Sequence, residues 1–226
     1  MPRIKQANFF KALFAEYFKE HKGFIEIREI NESVRYEFFD SIESLIKVIN
    51  SKRFKGNIYF GVGPRSIRKG NKSAIKHITS LCADVDYGEI GHKKKSPYTN
   101  KETALKAIDK FPIKPSIIVC SGYGLHCYWI LKSPVVINDP DFIENILKNI
   151  IIKLKGDKGT HNLDRILRVP FTFNSKVKSN PVQSDIIKFD PDLKYEISEF
   201  ESIIESECTI RLDSLSARSR DLLENL

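Results

Sequence analysis

The eight residues LCADVDYG, Leu81–Gly88, form an apolar run that ends in two acids one residue apart. Successive side chains of a β-strand point to opposite faces, so Asp84 and Asp86 would stand side by side while Val85 faces the core. Two carboxylates this close repel each other unless a cation neutralises them. One interpretation is a site for Mg²⁺ or Mn²⁺, which prefer hard oxygen ligands. The other is a strand that frays into a solvated acidic turn, and this stretch alone favours neither.

Length, charge and cysteine spacing narrow the class of protein. The 226 residues, 41% of them hydrophobic, are enough for one large domain or two closely packed subdomains. The net charge of +8 is consistent with a polyanionic partner, although many proteins are equally basic. None of the four cysteines forms a Cys-x-x-Cys pair, which predicts buried, reduced thiols rather than a zinc or disulfide framework. We find neither a membrane-length apolar run nor a signal-peptide pattern, and we expect a soluble, cytoplasmic protein with no membrane partner.

Hydrophobic periodicity predicts a mixture of helices and strands. Apolar residues at helical spacing, many of them aromatic, predict a helix over 4–20 whose apolar stripe belongs to the core. Capping patterns that begin at Asp40, Thr99 and Asp139 predict three more helices. Alternating or continuous apolar runs predict strands over 23–30, 33–39, 57–63, 75–85, 115–120, 125–131 and 181–189.

Two further polar motifs follow the acid pair along the chain. The first is SGYGLH at Ser121–His126, a tight turn between two apolar strands, and the second is DRILR at Asp164–Arg168. Three carboxylates can hold two divalent ions that bridge an attacking 3′-oxygen and a leaving pyrophosphate. A hydroxyl, a histidine and an arginine can bind a triphosphate, and a glycine turn lets the backbone approach phosphates closely. Together the three motifs predict phosphoryl transfer from a nucleotide.

Each motif also has an ordinary structural explanation. A single histidine on a strand, here His126, is more often structural than a ligand contact, and Asp164 beside Arg165 is more often a local ion pair. The pair Ser121-Gly122 is common in turns. The functional interpretation is favoured because all three motifs occur together, in one order.

That order resembles the archaeo-eukaryotic primase superfamily, the primase-polymerases. The acid-x-acid motif of the family is similar to Asp84-Val85-Asp86, its small-residue turn leading to a histidine is similar to Ser121–Trp129, and its third acid is similar to Asp164. Arg168–Lys176 is similar to the Arg-x-Pro-Gly-Thr-x-Asn-x-Lys run of plasmid, phage and bacterial members, with Phe171 in place of the glycine. The resemblance spans roughly residues 57–180 and is nearest to bacterial members, including CRISPR-associated ones.

The resemblance implies a fold and a division of the chain. The fold is α/β, of the α+β type: an RRM-like antiparallel sheet with flanking helices is fused to a smaller N-terminal α/β module, and the active site lies in the cleft between them. The catalytic domain would cover 1–207, with the N-terminal module over about 1–75 and the RRM-like part over about 76–207. Residues 208–226 would be a polar tail or a linker to a further domain.

The resemblance also implies an activity, cofactors and site residues. The protein would be a DNA primase and DNA-directed polymerase that extends a primer on a single-stranded DNA template, using dNTP or NTP and two Mg²⁺ or Mn²⁺ ions. The catalytic metal ligands carried over are Asp84, Asp86 and Asp164. The nucleotide-binding residues carried over are Ser121, Gly122, His126, Arg168, Arg65, Lys69, Lys72, Asn174 and Lys176.

Three other functions stay open on the sequence. A two-metal nuclease or phosphoesterase would use the same acids, and a catalytically silent RRM-like domain would bind nucleic acid without them. The serine, histidine and arginine favour the polymerase because they suit a triphosphate. A relaxase-type replication initiator is disfavoured because His126 has no His-x-His partner.

Overall fold

The described part of the chain contains two large β-sheets, a separate two-stranded sheet of β8 and β9, and four α-helices. The structure is a computed structural model that describes residues 2–51, 53–91 and 95–204, so the predicted tail over 208–226 lies outside it. The helices are α1 Pro2–Glu20, α2 Ile42–Asn50, α3 Lys101–Lys110 and α4 Pro140–Lys153. The strands are β1 Ile25–Ile30, β2 Val34–Phe39, β3 Asn57–Gly61, β4 His77–Asp86, β5 Ile117–Cys120, β6 Gly124–Val136, β7 Ile166–Arg168, β8 Phe173–Asn174, β9 Val182–Gln183, β10 Asp185–Phe189 and β11 Lys194–Tyr195.

The N-terminal sheet has four strands in the order β2-β1-β3-β7. The aromatic stripe of α1 packs on one face of it, with the rings of Phe9 and Phe10 edge-on to Phe60 at centroid distances of 5.5 and 5.3 Å. This confirms the stripe as core. The strand β7 comes from much later in the chain than its neighbours, so this sheet is completed only when the second half of the chain folds back onto it. The division of the chain near residue 75 stays a prediction.

The second sheet has five strands and two buried faces. The strand β6 pairs with β4 along one edge and with β5 and β11 along the other, and β10 lies beyond β5. Cys127 and Trp129 of β6 face a core formed with α3 and α4, whereas Tyr128 and Ile130 face the core shared with the N-terminal sheet. Alternate side chains of β6 thus face opposite cores, as the two-residue period of a strand requires. The two sheets therefore share one apolar core. The polar residues of the site lie at the edge of this core.

Two predicted helix caps and one predicted strand differ from the structure. The cap of α2 is Ser41, not Asp40, and the cap of α3 is Asn100, not Thr99, because in each case this extended residue is the one whose side-chain oxygen accepts the N–H three positions later. The start at Asp139 is confirmed, since its carboxylate accepts two backbone N–H groups of α4. The single strand predicted over 181–189 is β9 and β10, separated at Ser184, whose N–H and hydroxyl bond to Thr172 and Val169.

The state of the described cysteines agrees with the prediction of reduced thiols. The three described cysteines, Cys82, Cys120 and Cys127, are free thiols, and burial raises the pKa of Cys82 to about 12. Across residues 2–51, 53–91 and 95–204, none of the helices combines the length and the apolar character needed to cross a bilayer.

Candidate active site

The register between β4 and β6 brings the acid pair and the histidine together. Asp84 lies opposite His126, and Asp86 lies opposite Gly124, so all four residues project toward one face of the sheet. The Nε2 atom of His126 is 3.7 Å from Oδ1 of Asp84, which is too long for a hydrogen bond. The two motifs are thus 40 residues apart in the chain but direct neighbours across one strand pair.

Gly124 leaves a small space between the two carboxylates. A Cβ atom placed on Gly124 would lie 3.1 Å from Oδ1 of Asp86 and 3.4 Å from Oδ1 of Asp84. Both oxygens therefore border a single point in space that a side chain at this position would fill. Two hard oxygen ligands around one space are the donor set that Mg²⁺ or Mn²⁺ prefers, so the residues fit a divalent cation.

His126 is buried next to two positive charges. Burial lowers the pKa of His126 most, and the guanidinium groups of Arg168 and Arg165 lower it further, to about 3. The imidazole is therefore neutral near pH 7, and its closeness to Asp84 is not an ion pair. Its Nδ1 atom is buried without a hydrogen-bond partner in the described structure. A neutral imidazole has one N–H to donate. In this site the N–H would donate to a substrate that also lies near the guanidinium groups of Arg168 and Arg165.

Arg168 reaches the same place from the N-terminal sheet. It pairs with Tyr59 across β7 and β3, and its guanidinium stacks 4.7 Å from the centre of the Tyr59 ring. Its two terminal nitrogens donate to the hydroxyl of Tyr59 at 2.8 Å and to the carbonyl of Phe173 at 2.9 Å. Both acceptors are neutral, so they orient the guanidinium without cancelling its charge.

The turn Ser121–Gly124 is held in place by the segment after β7. The N–H and hydroxyl of Ser121 donate to the carbonyl of Gly124 at 2.8 and 3.1 Å. Gly122 has φ of +105°, a conformation that favours glycine, and a Cβ there would lie 3.2 Å from Cβ of Val182. The amide of Asn174 donates to the carbonyl of Ser121 at 2.8 Å. Asn174 therefore fixes the turn, a role that the resemblance did not suggest.

These residues surround a cavity of about 220 Å³. Its lining consists of Asn57, Tyr59, Asp84, Asp86, Ser121, Tyr123, Gly124, His126, Arg168, Asn174 and Lys176. Seven of the predicted site residues are among them, and Gly122 lies in the turn at its edge. Asn57, Tyr59, Tyr123 and Gly124 were not predicted to bind a ligand. A larger open groove of about 960 Å³ lies between α1 and α2, but none of the predicted residues lines it.

Comparison with solved structures shows which fold this chain has. No family model matches the chain, and no curated protein matches it. Among solved structures, the AEP domain of the cyanophage S-2L primase-polymerase is similar with a TM-score of 0.61 at 15% identity, over 88% of this chain and 96% of that one. The primase RepB′ is similar with a TM-score of 0.62 at 10% identity, over 100% of this chain and 69% of that one. The catalytic domain of RepB′ in complex with initiator DNA has a TM-score of 0.60 at 10% identity, over 96% and 98%.

The chain has the primase-polymerase fold. The predicted α/β architecture, an antiparallel sheet with flanking helices beside a smaller N-terminal sheet, is therefore confirmed. The backbone angle of Phe171 bears on one feature of the sequence. Phe171, which stands where the family run has glycine, has φ of +64°, in the left-handed region that glycine adopts without strain. The backbone at Phe171 therefore has a conformation that favours glycine.

Four predicted residues lie outside the cavity. Arg65 is fully buried, and its Nε and Nη2 atoms lie 2.8 and 2.6 Å from Oε2 of Glu26. Its prediction as a phosphate contact does not fit the structure, because the guanidinium is enclosed and already paired. Lys72 pairs with Glu144 at 2.8 Å, and Lys69 is exposed on the same loop without lining the cavity.

Asp164 is the fourth of these residues. Its carboxylate accepts a hydrogen bond from the side chain of Asn162, and its carbonyl accepts one from Arg65 at 3.4 Å. Within the described residues, no three His, Cys, Asp or Glu side chains are close enough to hold one ion. The structure therefore brings together Asp84 and Asp86 but not Asp164, and its role as third ligand stays a prediction.

Replacement of Gly124 tests whether the space between the acids matters. In Gly124→Ala the added methyl group would occupy that space and push the carboxylates apart, so we expect Mn²⁺ affinity to fall about tenfold or more. Isothermal titration with Mn²⁺ measures this effect. The matched control is Gly159→Ala, whose Cβ would meet only Oδ1 of Asp157, at an ordinary 3.6 Å. Equal Mn²⁺ affinity in the two variants would contradict the proposed position of the ion.

Proposed function

We propose that the protein is a DNA primase-polymerase that adds nucleotides to a 3′-hydroxyl on a single-stranded DNA template, with two divalent metal ions, and that begins primers. The observation that carries this proposal is the meeting of Asp84, Asp86 and His126 with Arg168 around one cavity. The acids suit metal ions, and the buried arginine suits a polyphosphate. The primase-polymerase fold supports the same function.

The metal ions would be held by Asp84 and Asp86. Mg²⁺ commonly binds to proteins through one or two carboxylates, with water and substrate phosphates completing its coordination. When bound, the ions supply positive charge that stabilises the attacking and leaving oxygens of the transfer. We keep Asp164 in the proposal as a third ligand, since the family motif includes it.

The chain's own residues would orient the triphosphate. Arg168 is held rigid by Tyr59 and the Phe173 carbonyl, so little side-chain entropy is lost when it binds an oxygen anion. His126 offers a neutral N–H donor in a buried setting, where hydrogen bonds to an anion are strong. The turn at Gly122 and the exposed Lys176 complete a polar rim.

The template and primer would be DNA. RepB′, whose catalytic domain has a similar fold, was solved with initiator DNA, which supports DNA as the partner. The net charge of +8 favours binding to a polyanion. The incoming substrate would be a dNTP or an NTP. We also propose that residues 208–226 are a polar tail or a linker to a further domain.

Product analysis on gels tests the proposed activity. The protein is incubated with labelled nucleotide, Mn²⁺ and single-stranded DNA, with and without an annealed primer. We expect extension of the primer and its loss in excess chelator, and products on the unprimed template would establish priming. Shortened oligonucleotides in the absence of nucleotides would instead indicate a nuclease. Binding of DNA without any product, unaffected by chelator, would indicate a silent binding domain.

A further inference from the structure

Four side chains form one row across the N-terminal sheet. Tyr36 pairs with Arg28 across β2 and β1, Arg28 pairs with Tyr59 across β1 and β3, and Tyr59 pairs with Arg168 across β3 and β7. Paired residues of neighbouring strands lie on the same face. The row Tyr36–Arg28–Tyr59–Arg168 therefore alternates tyrosine and arginine over three strand spacings, about 14 Å.

Within the row the rings and guanidinium groups stack in pairs. The guanidinium carbon of Arg28 lies 5.1 Å from the centre of the Tyr36 ring, and that of Arg168 lies 4.7 Å from the centre of the Tyr59 ring. Cation–π contacts at these distances fix the planes of both groups. Arg28 is held further by the Gly70 carbonyl at 2.6 Å. The row is thus a rigid surface of π-faces and cations.

One end of the row is open to solvent and the other end enters the cavity. Tyr36 is 49% exposed on the edge strand β2, and Val34, on the same face, is 47% exposed. At the other end Tyr59 and Arg168 line the cavity that holds Asp84 and Asp86. The ring of Tyr36 is therefore available to stack against a partner.

The charge of this face is positive. Glu26 beside Arg28 is fully buried and shared between Arg28 and Arg65, so these three groups carry a net charge of +1, and Asp84 lies near Arg168 at the cavity end of the row. Arg168 adds a second positive charge. Aromatic faces that alternate with cations suit a single-stranded nucleic acid, whose bases stack on rings and whose phosphates need counter-charges.

We propose that the row Tyr36–Arg28–Tyr59 is a binding track for single-stranded DNA, along which the unpaired template enters the cavity. A base stacks on the exposed ring of Tyr36, and the phosphates pass Arg28 toward Arg168. This inference rests on the proposed polymerase function for the identity of the strand as template. The stacking surface itself depends only on the geometry of the sheet.

Replacement of Tyr36 tests the track at its exposed end. We measure binding of fluorescein-labelled oligo-dT by anisotropy, with chelator present and no nucleotide. Since stacking of a base on an aromatic ring is worth ~1–3 kcal/mol, Tyr36→Ala should weaken binding about fivefold or more, and Tyr36→Phe should leave it unchanged. Phe189→Ala, which removes an exposed ring from the edge strand β10 of the other sheet, is the matched control and should also leave binding unchanged. Equal affinity of Tyr36→Ala and the unmodified protein would overturn the track.

A second readout detects the contact itself. The single tryptophan, Trp129, is fully buried, so in Tyr36→Trp a change of fluorescence on adding oligo-dT reports the introduced indole. We expect quenching by stacked bases, and binding without any fluorescence change would overturn the track.

The experiments distinguish an error in the proposed track from an error in the proposed function. Normal primer extension together with unchanged binding by Tyr36→Ala would overturn the track alone. Weakened binding by Tyr36→Ala, in a protein that makes no product with nucleotides, would support the track and overturn the polymerase.

Discussion

Asp84→Asn is expected to reduce primer extension by about 10³-fold or more. The substitution keeps the shape of the side chain but replaces a charged metal ligand with a neutral amide. Metal ions contribute several kcal/mol to the stabilisation of charge in such transfers, and each 1.36 kcal/mol is a factor of ten in rate. Initial rates on a primed template, measured over a range of Mn²⁺ concentrations, give the size of the loss.

The fold should not suffer from this change. Removing one of two neighbouring like charges relieves repulsion, so the melting temperature of Asp84→Asn without metal should equal or exceed that of the unmodified protein. The control is Asp109→Asn, an exposed carboxylate on α3, which should retain full activity. Full extension by the double variant Asp84→Asn/Asp86→Asn would rule out the proposed catalytic site.

Glu26→Gln is expected to lower the free energy of unfolding by about 3–5 kcal/mol, because it leaves two cations without their buried counter-charge. Glu26 accepts from Arg28 and Arg65, and both it and Arg65 are fully buried. Burial lowers the pKa of Arg65, and Glu26 opposes this shift. For a domain of this size the loss corresponds to a fall in melting temperature of roughly 6–20 °C. Urea denaturation followed by circular dichroism measures the free energy.

A surface ion pair serves as the control. Glu16 bonds to Lys19 on the exposed side of α1, and Glu16→Gln should leave the stability unchanged within the error of the measurement, because solvent screens an exposed ion pair. If Glu26→Gln were as stable as Glu16→Gln, the buried pair would not hold the loop that carries Arg65.

Local rules of sequence predicted much of the site. The two-residue period of a strand placed Asp84 and Asp86 on one face, and the structure has both on the face that borders the cavity. Glycines at 122 and 124 predicted a tight turn, and both are used as expected. These features depend on neighbours within a few residues, so they can be read without knowledge of the rest of the chain.

Other features of the site depend on which strands meet. No local pattern shows that Asp84 lies opposite His126, that Arg65 pairs with Glu26 rather than with a phosphate, or that Arg168 stacks on Tyr59. Each of these contacts joins residues about 40 or more positions apart. Two follow from the register of paired strands, and the contact of Arg65 with Glu26 joins the loop after β3 to β1.

The sequence by itself determined the acid pair, the histidine turn and the strand periods, because steric rules for side-chain direction act over one or two residues. Only the tertiary structure decided which arginines face the cavity and which are buried as counter-ions. It also decided that β7 joins the N-terminal sheet and completes the row from Tyr36 to Arg168. The physical reason is that long-range pairing is chosen by the total burial and hydrogen bonding of the folded chain, which no short segment contains.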